Sequence, residues 1–257
     1  MRRVAVKFAY DGRGFSGYAR QVNTPRTIEG VVVDTLVSKG IIESPKKACF
    51  RSASRTDKGV SALGNVIAFN TSYAGDDVLS VINDDVEEVL FYGFKEVDPV
   101  FYPRYAKMRV YRYYLDGDYC YDDVVDVLSL FVGEHDFSNF ARLEKGKNPV
   151  RFVERIHVDK NHGFLVVDFY AQHFLWHQIR RMMQAVILVM NDKISKIDVV
   201  KALNNPDIRV NLGLAPAEPL ILKDVFYDFE FEYISEVNSF LSDFEYTLVK
   251  HLKNKII

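Results

Sequence analysis

Apolar residues recur at every second position along several short segments of this chain, and two residues is the side-chain period of a β-strand. The first such segment carries Val4, Val6, Phe8 and Tyr10. Comparable segments lie at 87–97, 108–113, 163–171 and 225–233. The chain also contains 15 Tyr and 19 Phe, residue types that are enriched in strands. These observations predict a sheet-based fold and argue against an all-helical bundle.

Helical patterns lie between the predicted strands. Thr27 can cap a helix that carries Ile28, Val31, Val32 and Leu36 at helical spacing. Further helices are predicted at about 174–190, 195–204 and 236–253. Helices placed between strands in this way favour the α+β class, in which helices cover a mostly antiparallel sheet.

The alternation of strands and helices breaks near Asp98 and Pro99, because proline lacks the backbone N–H that helices and sheets use. Strands and helices alternate loosely on both sides of this break, and no long linker or low-complexity tract separates them. We therefore predict an α+β protein of two similar halves, 1–98 and 99–257, packed over a shared cleft.

Charge is unevenly distributed along the chain, although the formal net charge is only −2. Residues 1–26 hold one acid, Asp11, against the cations Arg2, Arg3, Lys7, Arg13, Arg20 and Arg26. Residues 101–113 hold the cations Arg104, Lys107, Arg109 and Arg112 and no acid, whereas 72–94 and 114–136 contain no Lys or Arg. Segregation of this kind is typical of a basic face that binds a phosphate backbone, although the same residues could instead form solvated faces of strands and helices.

Several function classes are disfavoured by what the sequence lacks. Cys49 and Cys120 are the only cysteines and form no C-x-x-C, so neither a disulfide framework nor a thiolate metal site is expected. His173 and His177 have the spacing of zinc ligands but lack the accompanying glutamate and a third ligand, so no metal is predicted. No glycine-rich phosphate cradle, signal peptide or membrane-length apolar run occurs. We expect a cytoplasmic protein with no membrane segment and no cofactor.

One carboxylate stands out because cations flank it on both sides. In SRTDKGVSALG, residues 54–64, Asp57 lies between Arg55 and Lys58 and shortly before the apolar segment 66–69. Asp and Gly are common in turns, so the segment could be a simple connection into a strand. Alternatively, Asp57 is a reacting carboxylate that neighbouring cations keep ionised. The segment by itself leaves both interpretations open.

Arg180 lies at the edge of the apolar stripe of the helix predicted at 174–190. That stripe consists of Leu175, Ile179, Met182, Val186 and Met190, widened by Met183 and Ile187. Arg181 falls on a more polar face. An arginine at a buried position needs an anionic partner, since an unpaired buried charge is strongly destabilising. We therefore expect Arg180 to bind a carboxylate or a phosphate, and Asp57 is a candidate.

Six segments, taken in order, carry a family resemblance. They are YDGRGFSGYARQ (10–21), SRTDKGVSALGNV (54–66), YPRYAKMRVYRYYL (102–115), GEHDFSNFAR (133–142), FLWHQIRRMM (174–183) and APAEPLIL (215–222). Together they resemble the TruA family of tRNA pseudouridine synthases, in the RTDKGVSA form of archaeal and eukaryotic members. The resemblance implies two RRM-like or ferredoxin-like halves that form a continuous mixed or antiparallel sheet, flanked by helices, around a central active-site cleft.

The resemblance also assigns roles to individual residues. It implies that Asp57 is the catalytic nucleophile, that Arg180 is its salt-bridge partner, and that Tyr111 stacks on the flipped uracil and helps to remove the C5 proton. Leu220 would contact the base, and Arg55 would contact RNA near the extruded nucleotide. Among the remaining cations, we expect Arg20, Arg104, Lys107 and Arg109 to bind the substrate.

The expected substrate is tRNA, modified in the anticodon arm at positions 38, 39 and/or 40, by a homodimer that needs no metal and no cofactor. Relatives with this form of the motif act on other tRNA positions too, so that alternative stays open. Trp176 stands where the family frequently has histidine, and Arg181 where it has asparagine. Two alternatives come from other classes: an RNA-binding protein without turnover, and a hydrolase that uses the acids of 116–136.

Overall fold

The computed structural model describes residues 1–22, 24, 26–83 and 89–254. The strands are β1 (Arg2–Tyr10), β2 (Arg51–Ser52), β3 (Ser61–Thr71), β4 (Val89–Val97), β5 (Met108–Leu115), β6 (Gly133–Asp136), β7 (Val150–Val153), β8 (Arg155–Asn161), β9 (Phe164–Ala171), β10 (Leu220–Phe226) and β11 (Glu232–Tyr233). The helices are α1 (Ile28–Ser38), α2 (Gly75–Ile82), α3 (Tyr121–Ser129), α4 (Gln178–Met190), α5 (Lys196–Asn204) and α6 (Val237–Asn254). No helix of these described ranges is both long enough and apolar enough to cross a membrane.

The chain forms two compact units. The first comprises Met1–Lys107 together with Ile221–Ile257, and the second comprises Met108–Leu220. The predicted halves, 1–98 and 99–257, stay a prediction about domains. The compact units follow a different outline, because the chain returns to the first unit after Leu220.

The sheet of the first unit has the strand order β11-β4-β1-β3-β10, and β2 pairs with Ile67 and Ala68 of β3. All of these pairings are antiparallel except the one between β3 and β10. The central strand β1 is buried from Arg3 to Tyr10. Helix α1 begins at the expected cap, where the Thr27 hydroxyl accepts a hydrogen bond from the Gly30 N–H.

The second unit contains an antiparallel sheet of β5, β9 and β8, and a separate hairpin of β6 and β7. Helix α3 contacts α4 and β8. The core of the second unit is rich in phenylalanine, and Phe131 and Phe140 pack edge to face with their ring centres 5.0 Å apart. The α+β class, with mostly antiparallel sheets flanked by helices, is confirmed.

Two boundaries differ from the sequence-based expectation. Helix α4 begins at Gln178 rather than Phe174, because His177 has a φ of 65°, in the left-handed region that a right-handed helix cannot include. The strand predicted at 225–233 ends at Phe226 and resumes only as β11. Between them the alternating aromatic residues pack on one another, and the rings of Tyr227 and Phe229 stack 5.2 Å apart. The strand predicted at 87–97 begins at Val89 in the structure, and residues 87 and 88 lie outside the described ranges.

A lysine of β1 lies buried among the aromatic residues that follow β10. The Lys7 ammonium is 2.5 Å from a carboxylate oxygen of Asp224 and 5.0 Å from the ring centre of Phe231. The Lys7 side chain is 4% exposed, whereas that of Asp224 is 28% exposed. Burial raises the pKa of Asp224, and the charge of Lys7 opposes that rise. This ion pair ties β10 to β1 within the first unit.

We expect Asp224→Asn to destabilise the protein more than Lys7→Met. The first change leaves an almost fully buried ammonium without its counter-charge, and breaking a buried pair in this way costs about 3–5 kcal/mol. The second leaves a carboxylate that still reaches water, so a loss of about 1 kcal/mol is expected. Urea unfolding of both variants measures the difference in the free energy of unfolding.

The exposed pair between Lys95 and Glu232, whose side chains are 36% and 61% exposed, provides the control. Glu232→Gln should change the free energy of unfolding by less than about 1 kcal/mol. A larger loss for Lys7→Met than for Asp224→Asn would show that the carboxylate, and not the ammonium, is the group that depends on the pair.

Candidate active site

Asp57 lies in the loop between β2 and β3, and the backbone of this loop is held at both ends. The Ala53 N–H donates to the Val66 carbonyl over 2.8 Å, and the Val60 N–H donates to the Asp57 carbonyl over 3.1 Å. Gly59 has a φ of 85°, which closes the turn in a conformation that favours glycine. Asp57 is half-buried. The turn that the sequence suggested and the candidate reacting carboxylate are therefore the same structural feature.

The segment after β1 packs directly against this loop, backbone to backbone. The Gly12 N–H donates to the Ser61 hydroxyl over 3.0 Å. A Cβ atom at Gly12 would lie 2.1 Å from the Val60 carbonyl oxygen, far closer than any real contact allows. Gly17 has a φ of 99°, and a Cβ atom there would lie 3.3 Å from the backbone nitrogen of Lys58 on the same loop. The Asp57 loop thus depends on two positions where only glycine fits without strain.

Buried polar side chains form hydrogen bonds with the residues of the Asp57 loop. The hydroxyls of Tyr10 and Thr56 are 2.8 Å apart, and the Asn65 side-chain amide donates to the Ser54 carbonyl over 3.0 Å. The Tyr18 N–H donates to the Thr56 carbonyl over 3.1 Å. Burial raises the pKa of Tyr18 well above its usual value, so its hydroxyl stays protonated. These bonds hold the residues on the N-terminal side of Asp57 without adding charge.

In the second unit, Tyr111 occupies the middle of β5 opposite Phe169 of β9. The Tyr111 ring is half-buried and meets the ring of Phe174 edge to face at 5.5 Å. Its neighbour Arg112 forms two hydrogen bonds of 2.7 Å to the carboxylate of Asp168, which is its partner across the ladder. Because that pair is largely buried, it holds the register of β5 against β9 and with it the position of Tyr111.

Arg180 lies in the first turn of α4 and is held by the segment that leads to β10. Its Nε donates to the Ala215 carbonyl over 2.8 Å, and the Ala215 N–H donates to the Arg180 carbonyl over 3.2 Å. Tyr113 is buried nearby, and its hydroxyl donates to the Pro216 carbonyl over 3.3 Å. Burial raises the pKa of Tyr113, and the charge of Arg180 opposes the rise. Leu220 is 6% exposed and its N–H donates to the Ala217 carbonyl, so the same segment carries both Leu220 and the contacts to Arg180.

Comparison with known proteins identifies the family. A family model described as tRNA pseudouridine synthase matches residues 127–228. The tRNA pseudouridine synthase A of Thermococcus sibiricus is 42% identical over 233 residues, which cover 88% of this chain and 85% of that protein. The chain belongs to the TruA family of tRNA pseudouridine synthases.

Further relatives with the same name agree with this assignment. The protein of Thermococcus kodakarensis is 39% identical, and the alignment covers 88% of this chain and 85% of that protein. That of Pyrococcus furiosus is 37% identical and covers 98% of this chain and 92% of its own length. The resemblance drawn from the six motifs is therefore confirmed, and TruA-family enzymes are isomerases.

The two adjacent arginines of α4 differ less in burial than the sequence suggested. Arg180 and Arg181 are both half-buried. The Nε of Arg181 is buried and has no hydrogen-bond partner among the described residues. The two arginines differ in what holds the guanidinium: the Nε of Arg180 donates to the Ala215 carbonyl, whereas the described part of the chain offers the Nε of Arg181 no acceptor.

The cations predicted to bind RNA fall into two groups. Arg20, Arg55, Arg104 and Lys107 are exposed, and Lys107 forms an ion pair of 2.8 Å with Asp228. Arg109 is only 5% exposed, and its guanidinium donates to the Gln172 carbonyl. This position suits a structural role between β5 and the end of β9, so Arg109 is the least suited of the five to contact a phosphate.

Sequence reasoning missed Gly12 and the ion pair of Arg112 with Asp168. Asp168 is the only charged residue of the apolar segment 163–171, and an isolated acid in a buried strand indicates a buried ion pair. That signal was present in the sequence. The need for glycine at position 12 had no local signal, because the backbone that excludes a side chain belongs to a distant segment. No cluster of three or more metal-binding side chains occurs within the described ranges.

Gly12→Ala should lower pseudouridine formation by about 100-fold or more, because the new methyl group must push the Asp57 loop out of place, and a displacement of about 1 Å at a reacting group has an effect of that size. The rate of tritium release from C5-labelled tRNA measures the loss, and thermal unfolding reports whether the fold survives.

Gly14→Ala is the matched control. It lies two residues away in the same turn, and a Cβ atom there would meet nothing within 4 Å. We expect this variant to keep its activity, and equal losses in the two variants would mean that the turn itself, not its contact with Val60, determines the rate.

Proposed function

We propose that this TruA-family protein isomerises uridine to pseudouridine in tRNA, with Asp57 as the attacking carboxylate. The observation that carries the proposal is the placement of Asp57 on a half-buried loop whose backbone is held by Gly12, Gly17 and a buried hydrogen-bond network. A nucleophile needs this fixed placement, since catalysis depends on holding the reacting atoms in one geometry. Relatives over most of the chain carry the name tRNA pseudouridine synthase A.

The proposed reaction exchanges one glycosidic bond for another. A carboxylate oxygen of Asp57 attacks C1′ of the uridine, the C1′–N1 bond breaks, and the uracil leaves with the bonding electron pair. The freed base turns so that C5 faces C1′, the C1′–C5 bond forms, and Asp57 is released as a carboxylate. The proton on C5 is then lost and N1 takes up a proton, so the reaction has no net change in atoms or electrons.

Tyr111, Arg180 and Leu220 are proposed to assist these steps. The Tyr111 ring would stack on the uracil and its hydroxyl would help to remove the C5 proton. The Arg180 guanidinium would pair with Asp57 and keep it ionised, and its bond to the Ala215 carbonyl supports a fixed orientation. Leu220 would give the base an apolar contact, in keeping with its position at the start of β10.

The substrate is proposed to be tRNA, with uridines of the anticodon arm as the targets. A paired or stacked uridine must be turned out of its stack before C1′ can be attacked, and the exposed Arg55, two residues from Asp57, is suited to hold the neighbouring backbone. Arg20, Arg104 and Lys107 are exposed cations that can add phosphate contacts. We further propose that the enzyme acts in the cytoplasm and that it forms a homodimer. Size-exclusion chromatography with light scattering would test the dimer by its molar mass.

Asp57→Asn should abolish pseudouridine formation while tRNA binding survives, because the change keeps the size and polarity of the side chain but removes the attacking charge. Tritium release from C5-labelled tRNA measures turnover, and filter retention measures binding. Substantial turnover by the Asn variant would falsify the assignment. Binding without turnover in the wild-type chain would instead favour an RNA-binding protein.

A double-mutant cycle in stability tests the proposed pairing of Arg180 with Asp57. Arg180→Met also removes the bond to Ala215, but that loss occurs in both arms of the cycle and cancels. If the two residues pair, the loss in the free energy of unfolding of the double variant Asp57→Asn, Arg180→Met should be smaller than the sum of the losses of the two single variants. We expect a difference of about 0.5–3 kcal/mol. Urea unfolding of the four proteins gives the coupling free energy.

Arg181→Met is the control, since its charge and side-chain length match those of Arg180→Met. We expect its effect to be additive with Asp57→Asn to within about 0.5 kcal/mol, and its pseudouridine formation to persist with at most weaker RNA binding. Coupling of Asp57 to Arg181 in place of Arg180 would reverse the assignment of the two arginines.

A further inference from the structure

The loop between β9 and α4 exposes the only tryptophan of the chain. Trp176 is 43% exposed. A single exposed aromatic residue needs no explanation by itself, since this chain also exposes Tyr105 and Phe152. What distinguishes Trp176 is the cation beside it and the fixed loop that carries it. Nothing in the proposed catalytic steps uses this ring.

Trp176 is paired with a cation from a second loop. The guanidinium carbon of Arg142 lies 4.1 Å from the centre of the indole ring, a close stacking distance for a cation on an aromatic face. The two residues are also joined through the backbone, because the Arg142 N–H donates to the Trp176 carbonyl over 2.8 Å. Arg142 is exposed, so the indole ring and a positive charge are both accessible at the surface.

The loop that carries Trp176 is held in one conformation. The Leu175 N–H donates to the Gln178 side-chain oxygen over 2.8 Å, and the Gln178 N–H donates to the Leu175 carbonyl over 3.1 Å. Gln178 is 1% exposed, which anchors this small ring of bonds in the core. His177 accepts a left-handed φ of 65°, and its ring lies 5.1 Å from that of Trp176. The surface ring is therefore pre-organised and loses little entropy when a ligand stacks on it.

The same loop also reaches the candidate active site. Phe174, two residues before Trp176, meets the ring of Tyr111 edge to face at 5.5 Å. Tyr111 is the residue proposed to stack on the reacting uracil. A base bound at Trp176 would thus contact the same loop whose Phe174 packs on Tyr111. All three residues belong to the second unit.

We propose that Trp176, together with Arg142, forms a stacking site for a second nucleotide of the bound tRNA, apart from the reacting uridine. The chemistry suits a nucleotide, because every base presents a π-face to the indole and every nucleotide a phosphate to the guanidinium. Stacking of this kind tolerates any base, so the site would position the RNA rather than read its sequence. The inference rests on the proposed function, since it takes tRNA as the ligand.

The single tryptophan makes a direct test possible, because all tryptophan fluorescence of the intact chain comes from Trp176. The Asp57→Asn chain, which should bind tRNA without turning it over, is titrated with an unmodified tRNA transcript. We expect the fluorescence to be quenched in parallel with binding measured by filter retention, and the ring to become less accessible to acrylamide. Unchanged emission and accessibility at saturating tRNA would overturn the proposal, even if Trp176 variants cannot be made.

Substitutions then measure what the stacking site contributes. Trp176→Ala should raise the KM for tRNA roughly 5- to 150-fold, the range for one stacked base, and leave kcat within about twofold. Trp176→Phe should keep most of the affinity because it retains an aromatic face. Phe152→Ala is the matched control, since Phe152 is a 58% exposed aromatic residue of the same unit outside this loop. Equal KM values for Trp176→Ala and Phe152→Ala would count against the site.

The outcomes separate this inference from the proposed function. Wild-type turnover with an unaffected Trp176 would remove the stacking site and leave the enzyme assignment intact. Absence of pseudouridine formation by the wild type would remove the proposed function itself. Protection of Trp176 from acrylamide at high protein concentration without tRNA would show that a second copy of the chain covers the ring, and would overturn the proposal.

Discussion

The contact between Gly12 and the backbone of Val60 leaves no room for a side chain, and the position of Asp57 depends on it. A carboxylate on an irregular loop keeps one position only if the backbone on both sides of it is held. Here the strand pairing of β1 with β3 brings the two segments together, and glycine lets them approach to a distance that no other residue allows. The buried hydroxyls of Tyr10 and Thr56 complete the support without placing a second charge near the carboxylate.

In the second unit an ion pair positions Tyr111, whereas in the first unit neutral hydrogen bonds hold the Asp57 loop. The two hydrogen bonds between Arg112 and Asp168 lie across the ladder of β5 and β9, and they are largely shielded from water. A one-residue slip of the strands would break both and would move Tyr111 to the opposite face. Arg180 is held differently, through reciprocal bonds with Ala215. These two bonds give its guanidinium a fixed direction.

Burial sorts the cations of this nearly neutral protein into two kinds. Lys7 and Arg109 belong to segments that the sequence marks as basic, yet both are inside the protein and bonded there. The exposed Arg55 lies two residues before Asp57 in the sequence. The exposed Arg142 places its guanidinium over the ring of Trp176. A count of positive charges along the chain thus overestimates the surface available to a phosphate backbone. What such a surface can bind depends on which cations reach water and what each of them touches.

The sequence alone was sufficient to predict the α+β class, the family and the helix cap at Thr27. These follow from short-range patterns and from the order of motifs, both of which can be read from the sequence without a structure. It also singled out Asp57, although its catalytic role stays a proposal. Only the tertiary structure decided that the strand after Phe226 is interrupted by aromatic packing, that α4 begins after a left-handed His177, and that Arg109 is buried. The physical reason is that each of these regions is fixed partly by residues far away in the chain: Phe101 packs on Tyr227, the Arg142 N–H donates to the Trp176 carbonyl, and Arg109 donates to the Gln172 carbonyl. Periodicity describes only the side chains within one element.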